Sequence, residues 1–159
     1  LPFGVVNAPG QRYHPAIVAQ AAATSAALMP GRFFLGVGTG ENLNEHIVGA
    51  RWPSIEVRQE MLEEAVTIIR RLWQGGYQSH DGQYFVVENA RIYDLPDEPI
   101  ELAIAAGQPV AAGLAGRLGD ALVSTAPEIG TVVQILANGQ NSSTRVTGAP
   151  TQKCGPAPN

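Results

Sequence analysis

The stretch Phe33-Phe34-Leu35-Gly36-Val37-Gly38-Thr39-Gly40-Glu41 narrows the possible folds more than any other part of this chain. An apolar run set between Pro30-Gly31-Arg32 and a cluster of glycines reads as a short, fully buried strand. Strands that are apolar throughout belong to parallel sheets covered on both faces. In such sheets ligands sit beyond the carboxyl ends of the strands, where this glycine loop falls. The glycines let the backbone approach a ligand closely, and Glu41 and Asn44 bring polar groups to the same place. The spacing is Gly-x-Gly-x-Gly, not the G-x-G-x-x-G of a dinucleotide-binding turn, and no acidic residue follows at the distance such a turn needs. The plainer alternative is a tight glycine corner, with Glu41 as the N-terminal acid of the next helix.

The rest of the chain can be arranged around that loop. Residues 1–6 are strand-like, and Asn7-Ala8-Pro9-Gly10 is a turn. Pro15 suits a first helical turn, and Ala16, Ala19, Ala22, Ala23 and Ala26 are small enough to bring that helix close to a sheet. His14 reads as a cap or packing residue rather than a ligand, and Trp52 as a buried anchor or a pocket wall. Ser54 is expected to cap a long helix. Its stripe of Met61, Leu62, Ala65, Ile68, Ile69, Leu72 and Trp73 is core, while Glu60, Glu63, Glu64, Arg70 and Arg71 read as a solvated face. Gly75-Gly76 ends this helix.

Residues 77–96 read as a hairpin-like insertion turning at Asp81-Gly82. Ile100-Glu101-Leu102-Ala103-Ile104 is the next strand, and Pro109 opens a helix that runs to Leu118. The small residues between them, Ala105-Ala106-Gly107, place free backbone N–H groups where an anion can use them. Residues 119–125 form a further short strand ending in hydroxyls. Residues 138–159 are dominated by Gly, Pro, Ser, Thr, Asn and Gln, and disorder is expected there. Successive strand, loop and helix units, four strands in all with one insertion, argue for an α/β fold.

Composition sets bounds on function. A chain of 159 residues is one domain's worth. A net charge of −4 argues against nucleic acid or an anionic membrane as the main partner. No segment approaches a membrane span. Cys154 stands alone and cannot form an internal disulfide, which fits a reducing, cytoplasmic setting. His46 has no second ligand at metal-binding spacing, so no metal site is expected.

Two runs carry a resemblance: Arg12-Tyr13-His14-Pro15-Ala16, and the segment from Pro30-Gly31-Arg32-Phe33 through Gly40-Glu41-Asn42-Leu43-Asn44-Glu45. Together they resemble the luciferase-like flavin and deazaflavin oxidoreductases. The branch they look most like uses the deazaflavin coenzyme F420 and includes the F420-dependent glucose-6-phosphate dehydrogenases. The resemblance implies a partial (β/α)8 TIM barrel over residues 1–137, central units only, with 138–159 as a polar tail. It implies hydride transfer between a small organic substrate and F420, with FMN and monooxygenase chemistry as the alternative. By the same resemblance Glu41 exchanges a proton with the cofactor ring. Thr39, Gly40 and Asn44 hold the ring and its chain; Ala105, Ala106, Gly107, Pro109 and Val110 contact the cofactor phosphate; Thr125 faces the substrate. A homodimer is implied for the full-length family.

Departures from the family pattern also carry information. Gln108 stands where the family has a second glycine, and Ala126-Pro127-Glu128 where the sugar-phosphate enzymes place a lysine. A phosphorylated sugar is therefore not the expected substrate. The family's second proton-handling residue is a histidine on an earlier strand, and none of His14, His46 or His80 matches it. A (β/α)8 barrel takes about 250 residues. These 159 residues alone are accordingly expected to lack turnover, and a silent fragment that only meets a partner chain is the alternative of another class.

Overall fold

The computed structural model describes residues 3–106, 109–124 and 145–148. Five parallel strands form one sheet in the order β1-β2-β5-β6-β7. They are β1 Phe3–Asn7, β2 Phe33–Val37, β5 Glu101–Ala105, β6 Ala121–Ser124 and β7 Arg145–Gly148. Three long helices accompany them: α1 Pro15–Leu28, α3 Ile55–Leu72 and α4 Pro109–Leu118. A short helix α2, Asn42–Glu45, and a 3-10 turn, His46–Val48, follow the glycine loop. The antiparallel pair β3 Gln78–Asp81 and β4 Val86–Ala90 is the insertion between α3 and β5.

Local chemistry explains where these elements start. His14 caps α1, its Nδ1 accepting the Ala16 N–H at 3.2 Å, with Pro15 at the first helical position. Ser54 accepts the Val57 N–H at the head of α3. In β2 the burial deepens along the strand, from half-buried Phe33 and Phe34 to buried Leu35, Gly36 and Val37. Along α3 the buried positions are Leu62, Ala65, Val66, Ile68, Ile69 and Leu72, so Val66 joins the expected stripe while Met61 and Trp73 pack at its margin. Trp73 Nε1 donates to the Ala19 carbonyl at 3.0 Å and ties α3 to α1. Leu102, Ile104 and Leu122 are wholly buried under the helices.

Two expectations need correction. The charged residues of α3 are not all solvated. The Glu64 side chain, 13% exposed, accepts the backbone N–H groups of Phe85 at 2.9 Å and Tyr84 at 3.0 Å and also meets His80 Nε2 at 3.1 Å. Arg70 donates to the Leu118 carbonyl and to Asp120, and Arg71 to the Ser79 carbonyl. A helix face beside an inserted hairpin is a place to satisfy loop backbone, and charged side chains do it well. The second correction concerns the polar tail. Arg145–Gly148 pairs in parallel with β6, from Ala121↔Arg145 to Ser124↔Gly148. An open strand edge offers backbone partners whatever the average composition of the segment that meets it, and Val146 and Thr147 favour extended structure. Residues 138–144 and 149–159 lie outside the described residues.

Candidate functional site

A cavity of about 500 Å³ opens beyond the carboxyl ends of the parallel strands. Each of four neighbouring strands contributes where it ends: Asn7-Ala8 after β1, Gly38 to Glu41 after β2, Ala105-Ala106 after β5, and Val123-Ser124 on β6. Asn44 and Glu45 of α2 complete the wall. Parallel pairing produces this convergence. The register Asn7↔Val37, Val37↔Ile104 and Ile104↔Leu122 brings the four strand ends level.

The glycine loop is held in a conformation that other residues resist. Gly40 has φ +71°, and a Cβ there would lie 2.8 Å from the Ala8 Cβ, so a side chain is excluded by backbone and neighbour together. The Gly38 N–H donates to the Asn7 carbonyl at 2.9 Å, which welds the loop to the end of β1. Glu41 is the N-cap residue of α2, exposed, and makes no capping hydrogen bond with its side chain. Arg12 reaches across from the approach to α1, pairing with the Glu45 carboxylate and donating to the Asn44 carbonyl. Asn7 Oδ1 is buried at this wall without a hydrogen-bond partner among the described residues.

The structure gathers Thr39, Gly40, Glu41, Asn44, Ala105 and Ala106 into one cavity wall. Pro109 is the first residue of α4, and Val110, the second, is 66% exposed and is not part of the cavity wall. Gly107 and Thr125 lie outside the described residues. Sequence reasoning missed Asn7, Ala8, Glu45, Val123 and Ser124, which join the wall through sheet order rather than through any local motif. Trp52 neither anchors the core nor lines the cavity. It stands half-buried beside the loop, under the guanidinium of Arg58 at 4.4 Å from the ring centroid. Among the described residues no group of three His, Cys, Asp or Glu is placed to hold a metal ion, and no helix is long and apolar enough to cross a membrane.

A parallel sheet with covering helices and a cavity at its carboxyl ends fits a segment of a (β/α) barrel. The chain belongs to the luciferase-like monooxygenase family, whose model matches residues 1–140. Among curated relatives, an F420-dependent glucose-6-phosphate dehydrogenase of Mycobacterium avium is 49% identical over 122 residues, 76% of this chain and 36% of the relative. One from Intrasporangium calvum is 50% identical over 123 residues, 76% of this chain and 37% of that protein. The chain thus spans little more than a third of these relatives. Among solved structures, an F420-dependent secondary alcohol dehydrogenase in complex with an F420-acetone adduct superposes with a TM-score of 0.85 at 34% identity, covering 93% of this chain and 48% of that one. A coenzyme F420-dependent tetrahydromethanopterin reductase from Methanopyrus kandleri shares the fold, with a TM-score of 0.74 at 19% identity over 93% of this chain and 49% of that one.

Proposed function

We propose that this chain forms the coenzyme F420-binding part of an oxidoreductase that moves a hydride between the deazaflavin and a small organic substrate. The observation that carries the reading is the meeting of two separate loops, Gly38 to Glu41 and Ala105-Ala106, at one cavity beyond the strand ends. The relatives and the alcohol dehydrogenase neighbour that match over these loops are F420-dependent by name.

The residues present fit such a group. Ala8, Gly38, Gly40, Ala105 and Ala106 present little or no side chain, so a broad ring system can lie against backbone. Asn7 Oδ1, buried and without a partner among the described residues, offers an acceptor at the same wall. β5 ends at Ala105 and α4 begins at Pro109, and the phosphate contact assigned by resemblance to Gly107, Pro109 and Val110 suits the N-terminus of that helix. When bound, the deazaflavin supplies the hydride chemistry. The protein's part is to hold, orient and move a proton: Thr39, Gly40 and Asn44 hold, and Glu41 gives or takes a proton at its carboxylate oxygen. Thr125 is assigned to the substrate side. The Ala126-Pro127-Glu128 sequence after it lacks a cation for a phosphate, so the substrate is inferred to be an unphosphorylated small molecule.

Glu41→Gln tests the proton role. It is expected to lower turnover of the full-length protein about 10²–10⁴-fold while changing F420 affinity far less. Turnover near that of the parent returns Glu41 to a plain N-terminal acid of α2.

A further inference from the structure

Arg58 lies on α3, one turn after the Ser54 cap, and outside the cavity wall. Its Nη1 donates to two consecutive carbonyls of the glycine loop, Gly40 at 3.1 Å and Thr39 at 3.3 Å. Its guanidinium stacks over Trp52 at 4.4 Å, and its Nε is buried without a hydrogen-bond partner among the described residues. A buried arginine nitrogen left unpaired is costly, so this side chain is held where it is by what the other nitrogens and the ring face gain.

The two carbonyls matter because a trans peptide unit is planar, with its C=O and N–H on opposite edges. No described peptide bond is cis. Drawing the Thr39 and Gly40 carbonyls toward Arg58 therefore turns the N–H groups of Gly40 and Glu41 to the far side. Those N–H groups make no hydrogen bond within the described residues. Gly40 and Glu41 line the cavity, while Arg58 does not.

We propose that Arg58 is a positioning residue that fixes the orientation of the Thr39-Gly40 and Gly40-Glu41 peptide planes, so that their N–H edges face the ligand cavity. It touches no ligand atom itself. Its effect on F420 binding rests on the functional reading above; its effect on the loop does not. Lysine is a poor substitute, because its ammonium has no planar face to stack on Trp52 while donating to the two carbonyls as Nη1 does.

The test compares the parent with Arg58→Met and Arg58→Lys by titration with coenzyme F420 and by backbone ¹⁵N relaxation of the ligand-free protein. Arg70→Met serves as control, since Arg70 makes two bonds to Leu118 and Asp120 from the far end of the same helix. Arg58→Met is expected to weaken F420 binding about 10- to 100-fold. The order parameters of Gly40 and Glu41 are expected to fall from about 0.85 toward 0.6. Arg58→Lys should fall between, added guanidinium should recover part of the loss in Arg58→Met, and Arg70→Met should leave affinity and loop order unchanged. Parent-like affinity and loop order in Arg58→Met overturn the proposal. If that variant does not fold, parent-like values in Arg58→Lys overturn it equally. A parent that fails to bind F420 overturns the functional reading, and the relaxation data alone then decide the role of Arg58.

Discussion

One helix holds two excursions of this chain by opposite means. At its N-terminal end α3 presents Arg58, which takes up carbonyls of the glycine loop. Six residues later it presents Glu64, which takes up the N–H groups of Tyr84 and Phe85 in the hairpin. The choice of charge decides what each excursion has left to offer. The hairpin's donors are spent on the protein itself, and the hairpin becomes a structural cover, with Phe85 buried edge-on against His14 at 5.5 Å between ring centroids. In the loop, the N–H groups of Gly40 and Glu41 stay without a partner among the described residues. A cation behind the glycine loop and an anion behind the hairpin are the same device with the peptide planes reversed.

The largest effect expected on the structural side is from Glu64→Ala. It strips two backbone donors and the His80 ring of a shared acceptor, and should cost about 2–4 kcal/mol in urea unfolding. A cost below 1 kcal/mol would mean that the hairpin is held by packing alone and the comparison fails. The same contact has a pH signature. Burial alone would raise the Glu64 carboxyl, but the N–H groups of Phe85 and Tyr84 and the His80 ring together outweigh it and hold the carboxyl below its usual range. A depressed carboxyl stabilises the fold above its unfolded pKa, and that contribution is lost as pH falls through the folded value. Acid unfolding of the parent should therefore show a steeper loss of stability below the ordinary carboxylate range than Glu64→Ala shows; parallel profiles contradict the assignment.

The smallest effect belongs to Tyr84→Phe. The Tyr84 hydroxyl donates to Glu60, whose side chain is exposed, and that bond raises the phenol above its ordinary range. Removing it should move the urea midpoint much less than Glu64→Ala does, because the exposed pair exchanges with water. Equal shifts would show that the outer carboxylate, and not the inner one, secures the hairpin.

The parts of this account that local sequence carries are those fixed by neighbours in the chain. An apolar run ending in Gly-Val-Gly-Thr-Gly marks the strand and its loop, Pro15 and Pro109 mark helix starts, and Ser54 marks the cap of α3. What stayed hidden depends on sheet order and on which side chain turns inward. Asn7 and Ser124 reach the cavity because β1 lies next to β2 and β6 next to β5, and no spacing rule contains that. Glu64 and Arg58 look like ordinary helix charges until the hairpin and the loop are placed against them. The strand Arg145–Gly148 was masked by the composition of the residues around it.

The central claim is that the cavity at the strand ends binds a deazaflavin through the glycine loop, and Gly40 is where it is most exposed to test. Isothermal titration of coenzyme F420 and of FMN into the full-length protein and into Gly40→Ala addresses it directly. A methyl at Gly40 must contend with φ +71° and with the Ala8 Cβ at 2.8 Å, so the loop has to move. The account expects saturable F420 binding by the parent, no binding of FMN, and at least about tenfold weaker F420 binding by folded Gly40→Ala, the equivalent of about 1.4 kcal/mol. Binding of FMN in place of F420, or F420 affinity untouched in Gly40→Ala, would contradict it.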